Sequence, residues 1–350
     1  MNGDIISVVI INYNGKRTVL NTIESLIKQE GILTSIKMID DFSNDGSYEL
    51  VKEKYPDLLI VRQAQNTKNL NKLRNLALEI SETEKVLITD NDIIFDKNCI
   101  YELNKAMEKD KEIATCTPRL MYLDDPNLIY TAGVQFHYIG AAICEQRETY
   151  LTEYEKTPSK NSGTGIMLLN KKLVLNVGGF DDDLIVMAWG DDGELYQRLL
   201  SRGLKCLYIP TAFGLHEEKP FSKERFYRAE GQFFNRWVII LTQYSLITLI
   251  ILFPALFIYE IIEFIFVLLK KMPHLFFKAL KRLFKNIPLI LKKRKKFQTY
   301  KVVPDIQRLD SGKMYVSHSL IENNKLLKLF LNLMNSFFDY YWKIAKVILR

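Results

Sequence analysis

A mostly parallel α/β sheet with crossover helices, followed by a helical C-terminal region, is the fold class this sequence predicts. Three observations carry it. Apolar β-branched runs alternate with helical patterns over residues 1 to about 120. Two acidic clusters stand directly after predicted strands. From Trp237 the composition turns apolar and then strongly basic.

The elements follow in order. Ile5–Ile11 is β-branched apart from Ser7, which predicts a strand buried on both faces. Arg17–Gln29 has helical spacing in Val19, Leu20, Ile23, Leu26 and Ile27. Ile36–Ile39 is a short strand ending at Asp40-Asp41. The turn-rich Ser43-Asn44-Asp45-Gly46 leads into a helix over Ser47–Lys54. Leu58–Val61 is a third strand, Leu70–Ile80 a helix, Val86–Thr89 a fourth strand and Asn98–Met107 a helix. Residues 120–220 are less regular and rich in glycine and polar turns, as binding loops are. Ligands on such sheets bind outside the carboxyl ends of the strands.

Composition narrows the class. The chain has 350 residues, 48% hydrophobic and 25% charged, which excludes a disordered or collagen-like protein. Cys99, Cys116, Cys144 and Cys206 lie far apart with no CxxC pair, which argues against a disulfide framework or structural zinc and for a reducing compartment. The N-terminal apolar run is too short, and lacks the basic flank, for a signal peptide. Net charge is +7, yet twelve Lys/Arg and no Asp or Glu fall between Phe264 and Pro304; removing those twelve leaves −5 for the rest. A nucleic-acid reader spreads its basic residues over the recognition fold. Here they directly follow an apolar run, which points to an anionic membrane surface instead.

The acidic clusters carry the chemistry. Asp40-Asp41 ends the second strand, and Asp90-Asn91-Asp92 ends the fourth. Alternate residues of an extended segment point the same way, so Asp90 and Asp92 can share one face. Hard oxygen ligands there suit Mg²⁺ or Mn²⁺, with phosphates and water completing the shell. Either cluster alone reads as turn acids capping the next helix; both on successive sheet edges favour the metal. A third cluster, Asp191-Asp192-Gly193-Glu194, opens a helical stretch over Leu195–Ser201. His216 follows the apolar segment Cys206–Leu215 and is an even choice between structural residue and ligand.

From about Ile5 to Ile240 the chain resembles the family 2 glycosyltransferases of GT-A fold, a Rossmann-like mixed, mostly parallel sheet flanked by helices. Ser7-Val8-Val9-Ile10-Ile11-Asn12-Tyr13-Asn14-Gly15 resembles the opening strand and nucleotide loop. Asp40-Asp41-Phe42-Ser43-Asn44-Asp45-Gly46-Ser47 is similar to the VDDxSxDGS element, Arg74-Asn75 to the RN pair, and Asp90-Asn91-Asp92 to the DxD motif. Ser162-Gly163-Thr164-Gly165 and Gly178-Gly179-Phe180-Asp181-Asp182 resemble the acceptor-side stretch. Asp191-Asp192 stands where the family has its Glu-Asp pair, with Glu194 where an Asp is usual. Gln232-Phe233-Phe234-Asn235-Arg236-Trp237 has one residue too many for the processive QxxRW signature, so polymer synthesis is not implied.

The resemblance implies roles. Ile11, Asn12, Tyr13, Asn14, Asp41, Arg74 and Asp90 would bind the nucleotide, with Asp41 on the base. Asp92 and His216 would hold a divalent cation. Asp192, with Asp191, would supply the general base, giving single displacement with inversion. Gly163, Thr164 and Trp189 would line the acceptor side.

Beyond a catalytic domain at 1–225, residues 226–301 read as apolar then basic amphipathic helices for membrane association, and 302–350 as an amphipathic tail. Trp237–Tyr259 holds no charge and is long enough to span. One crossing would put the basic segment outside, against the positive-inside tendency. A re-entrant or in-plane helical pair broken near Pro254 is therefore expected, with Phe276–Leu291 on the cytosolic surface. The expected partners are a nucleotide-diphosphate sugar, a lipid-linked or surface glycan acceptor, the cytoplasmic face of the cell membrane and a second copy of the chain. A polyprenyl-phosphate sugar synthase and a non-catalytic nucleotide-sugar-binding scaffold are the alternatives. A dinucleotide oxidoreductase is disfavoured, because Asn12-Tyr13-Asn14-Gly15 is not a GxGxxG loop.

Overall fold

A computed structural model describes residues 5–152, 165–188, 190–217, 227–314 and 324–350. The chain divides into two compact units. The first holds residues up to Val134, Cys144–Asp182 and Leu204–Pro220; the second holds Gln135–Ile143, Asp183–Gly203 and everything from Phe221.

The β-branched run forms β1 (Ile5–Asn12), buried from Ile6 onward. It can be buried on both sides because it pairs in parallel with β2 (Leu33–Asp40) and with β4 (Lys85–Asp90). β3 (Leu59–Arg62) extends the parallel set beyond β2. Further along, β10 (Met167–Asn170) enters antiparallel between β4 and β6 (Ile113–Tyr122). β11 (Lys205–His216) runs parallel to β6, and β5 (Ile93–Phe95) runs antiparallel to β11. Among the described residues the order is β3-β2-β1-β4-β10-β6-β11-β5, with β7 (Ile129–Thr131) on β6.

Helices α1 (Val19–Ile27), α2 (Ser47–Lys54), α3 (Leu70–Ile80), α4 (Cys99–Met107) and α5 (Lys171–Asn176) belong to the same unit. Val19, Ile23 and Leu26 of α1 and Ile100 and Leu103 of α4 share one core with Ile6, Val8 and Ile10 of β1 and with Leu87 of β4. This is the parallel α/β arrangement the alternating pattern predicts. It brings the carboxyl ends of β1, β2 and β4 to one edge, where Asn12 lies beside Asp40 and Ile11 beside Asp90.

The second unit is mainly helical: α6 (Gly193–Ser201), α7 (Tyr227–Gln243), α8 (Leu246–Leu269), α9 (Pro273–Lys285), α10 (Ile287–Tyr300), α11 (Asp305–Arg308) and α12 (Lys325–Ile348). Tyr138, Tyr244, Leu252, Leu256, Phe338 and Trp342 form its core, with Tyr138 stacked on Trp342 at 4.9 Å between centroids. The break expected near Pro254 falls instead at Ser245. There the Ser245 N–H donates to Asp305 Oδ2 at 2.7 Å, and Ser245 Oγ accepts from the Thr248 N–H at 3.3 Å as an N-cap. Pro254 sits inside an unbroken 24-residue helix. That helix is long and apolar enough to cross a membrane by length and composition, and 28% of its most apolar window is buried within the protein.

Candidate active site

The strand edge of the first unit is a network of short polar residues. Asn12, at the end of β1, is fully buried. Its Nδ2 reaches Asp40 Oδ1 at 2.8 Å, Ser43 Oγ at 3.1 Å and Ser47 Oγ at 3.0 Å, and its Oδ1 accepts from Asn91 Nδ2 at 2.6 Å. The middle residue of Asp90-Asn91-Asp92 thus turns inward onto β1. Gly15 closes this junction: a Cβ there would lie 2.0 Å from Asn91 Nδ2. Asn14 has positive φ, accepts from the Asn44 N–H through its side chain, and donates its own N–H to Ser43 Oγ. Tyr13 is half-exposed at 48%. Ile11 is buried beneath this edge.

Asp41 is 5% exposed. It accepts from the Thr67 N–H at 2.9 Å and the Thr67 hydroxyl at 3.2 Å. Burial still pushes its carboxyl above the ordinary aspartate value, the Thr67 bonds offsetting only part of that cost. Phe42, next in the chain, is half-exposed and at positive φ.

Asn69 caps α3, and one face of the helix carries Asn71, Arg74 and Asn75. Asn69 Nδ2 donates to the Asp182 carbonyl, Asn71 Nδ2 to the Asp181 carbonyl, and Asn75 Nδ2 to the Phe180 carbonyl. The buried Arg74 bonds Asn71 Oδ1 at 3.0 Å and lies 5.5 Å over the Phe180 ring. The RN pair and its neighbours therefore shape the Gly178–Asp182 loop.

Asp90 ends β4, and Asp92 lies in the turn before β5. Pairing of His216 with Ile93 brings the last residue of β11 to that turn. His216 Nε2 lies 3.8 Å from Asp92 Oδ1, with the side chains 14% and 16% exposed. The Asp92 carbonyl accepts from the Glu217 N–H, and Glu217 pairs with Arg17. The His216 ring packs on Tyr130 at 4.2 Å, and the Arg147 guanidinium lies 4.4 Å from the other residue's ring, Tyr130. The pair places one nitrogen and one carboxylate oxygen side by side at the strand edge. Among the described residues no group of three or more His, Cys, Asp and Glu is placed to hold a metal ion.

In the second unit Asp191 and Asp192 precede α6, with Asp191 buried and its N–H donating to the Ala188 carbonyl. Gly193 is required beneath them, since a Cβ would meet Phe136 at 2.3 Å. Glu194 is buried and answered within the fold: Arg198 grips both its oxygens at 2.7 and 2.6 Å, and Gln243 Nε2 donates at 2.9 Å. Asp191 and Asp192 are the bases expected from the resemblance. Gly163, Thr164 and Trp189 lie outside the described residues.

The sequence reading missed Thr67, Asn71, Tyr130 and Arg147. None stands in a motif, and each acts through a partner distant in the chain. Asn91 was within reach, as the central residue of the DxD-like triplet.

Strand order, the parallel edge and its carboxylates define a GT-A-type α/β domain. Residues 7–169 match the model described as glycosyl transferase family 2. The chain is 24% identical over 257 residues to chondroitin synthase of Escherichia coli, covering 65% of this chain and 37% of that protein. It is 32% identical over 101 residues to poly(ribitol-phosphate) beta-N-acetylglucosaminyltransferase TarS of Staphylococcus aureus (strain Mu50), covering 27% of this chain and 18% of that protein. It thus spans well under half the length of these curated relatives. Among solved structures, GalNAc-T7 with UDP, GalNAc and Mn²⁺ superposes with a TM-score of 0.55 at 17% identity, over 70% of this chain and 49% of that one. The mannosyltransferase PcManGT from Pyrobaculum calidifontis, in complex with GDP-Man and Mn²⁺, superposes with a TM-score of 0.52 at 14% identity, over 98% and 86%. At these identities the likeness is one of fold.

Proposed function

We propose that this chain is a divalent-cation-dependent, inverting glycosyltransferase. It moves a sugar from a nucleotide-diphosphate donor to a hydroxyl of a lipid-linked or surface glycan, at the cytoplasmic face of the cell membrane. The observation that carries the reading is the pairing of Asp92 with His216 beside Asp90, at the strand edge that also holds Asp41. Support comes from the match to the family 2 model and from two structural neighbours, one with UDP and Mn²⁺ and one with GDP-Man and Mn²⁺.

In this reading Asp41 and the Tyr13–Asn14 loop receive the nucleoside. Arg74 acts by shaping the loop that ends in Asp181-Asp182. Asp92 and His216 hold the cation, Mg²⁺ or Mn²⁺. When bound, it neutralises charge developing on the departing diphosphate. Asp192 takes the proton of the acceptor hydroxyl as that oxygen attacks the anomeric carbon, with Asp191 beside it. One base and one in-line attack give inversion. A lipid-linked acceptor fits the long apolar helix α8 and the basic segment that follows.

Calorimetric titration of UDP, GDP and dTDP, with and without Mn²⁺, tests the reading. Wild type is expected to bind one nucleotide in a Mn²⁺-dependent way, and Asp92→Ala to lose that dependence. Failure of folded wild type to bind any of the three rejects the transferase reading.

A further inference from the structure

The second unit leaves an unusual amount of apolar side chain outside its core. On α8, Leu246, Ile250, Phe253, Phe257, Ile261 and Ile265 recur at helical spacing and are all at least 43% exposed. On α12, Leu326, Phe330, Leu333, Phe337, Tyr340, Ile344 and Val347 form a second stripe, at least 38% exposed. Scattered exposed apolar residues are ordinary, whereas two uninterrupted stripes are not.

The stripes adjoin. Tyr341 donates its hydroxyl to the Ile251 carbonyl, joining α12 to α8. Tyr341 lies next to Phe337 of the exposed stripe, their rings 6.1 Å apart, and Ile251 follows exposed Ile250. The opposite edge of α12 is polar and is held elsewhere: Asn335 to Met314, Trp342 and Lys346 to Asp310. Across α8, Phe264 touches exposed Phe277 of α9 at 5.9 Å. One apolar face therefore runs from α12 over α8 to α9.

A basic rim follows that face in sequence. Lys270 and Lys271 follow α8, Lys281 and Lys285 lie on α9, and Lys292, Lys295 and Lys296 on α10; all are exposed. None has a carboxylate partner among the described residues, whereas Lys278 and Arg282 are both taken by Glu230. A face-on second copy would bring its own lysines to this rim. Anionic headgroups would meet them with opposite charge.

We infer that α8, α12 and α9 lie in the plane of one anionic leaflet and dock through this composite face, without α8 crossing. Crossing would draw α12 along. Its 24 residues, about 36 Å of helix, carry Lys325, Lys328, Asp339, Lys343 and Lys346 along their whole length. In-plane docking buries the stripe and leaves those charges in water. This inference deepens the membrane part of the proposed function and rests on it.

The test is co-sedimentation of the full chain with phosphatidylcholine vesicles, with and without phosphatidylglycerol. Wild type is expected to bind the phosphatidylglycerol vesicles and to be released by alkaline carbonate. Ile250→Ser with Phe257→Ser on α8, and separately Phe330→Ser with Leu333→Ser on α12, should each weaken binding about tenfold or more. Lys281→Glu and Lys285→Glu should each weaken it about fivefold, only with phosphatidylglycerol. A fluorophore on Phe257→Cys or Leu333→Cys, sites outside the core, should report the same shallow depth even if the serine variants fold poorly. No binding by wild type to either vesicle rejects membrane association itself. Binding that resists carbonate, with α12 substitutions silent, means that α8 spans and overturns the in-plane inference alone. A dimer dissolved by the same serine substitutions, without vesicle binding, assigns the face to a second copy and overturns it as well.

Discussion

Asn75 and Phe180 hold each other at two points. The Phe180 N–H donates to Asn75 Oδ1 at 2.8 Å, and Asn75 Nδ2 returns a bond to the Phe180 carbonyl at 2.9 Å. This pair fixes the glycine-rich loop to α3, and Gly179, at positive φ, leaves no room for a Cβ beside Asn75 Oδ1, which would lie 2.8 Å away. Asn75→Ala strands both backbone groups of a buried residue and is expected to cost about 1–3 kcal/mol. Asn75→Asp replaces the donor with an acceptor that faces a carbonyl, so it should cost at least as much. Thermal melts of both variants read the effect.

Tyr130 is expected to matter through His216. Tyr130→Phe keeps the ring packed against the imidazole and should leave Mn²⁺ affinity near wild type. Tyr130→Ala frees the imidazole and should weaken Mn²⁺ about tenfold, in the range seen when the supports of metal ligands are removed. Electron paramagnetic resonance of free Mn²⁺ measures this without turnover.

Asp191 and Asp192 can be separated kinetically. Asp192→Asn is expected to lower kcat by about 10²–10⁴-fold while leaving nucleotide affinity unchanged. Asp191→Asn should act more weakly. Turnover with a nucleotide-sugar donor, alongside nucleotide titration, distinguishes a lost base from a lost donor site.

Stability in acid should hinge on Asp305. Burial alone would raise its pKa, but Arg308 and Lys301 outweigh burial and hold it at about 2. Its unfolded value is about 3.9. The lowered value means that Asp305 stabilises the fold above that pH and loses the contribution as pH falls from about 4 towards 2. At neutral pH it is worth about 2 kcal/mol. Asp305→Asn should melt earlier than wild type at pH 7, with the gap narrowing as pH falls. Calorimetric melts along a pH series check this.

Much of the first unit was legible because its signals are local. Short, mostly β-branched runs predict β1 and β4, and helical spacing predicts α1, α3 and α4 within a few residues. The sheet beyond β4 was not legible. β10 has four residues, and its antiparallel entry between β4 and β6 depends on pairings far apart in the chain. The helix break was misplaced for the same reason. Pro254 is the visible breaker, yet it sits in a helix long enough to absorb one lost backbone bond. Ser245 breaks the chain because Asp305, sixty residues later, takes its N–H. In the site, Asp90, Asp92 and His216 stood out by residue type. Sequence alone did not reveal that Asn12 spends its whole amide inside the protein, because an amide reads the same whether it faces a ligand or three strand ends.

The junction of Asn12, Gly15 and Asn91 has a consequence for how this sequence can drift. A methyl group at position 15 would collide with the Asn91 amide. Shortening residue 91 would make room but remove the donor that Asn12 Oδ1 accepts. Replacing Asn12 would in turn abandon Asp40, Ser43 and Ser47. No single step from this state is neutral, so the three positions must be inherited as a block. A library that randomises any one of them should recover the parent residue, and alternatives should emerge only when all three vary together.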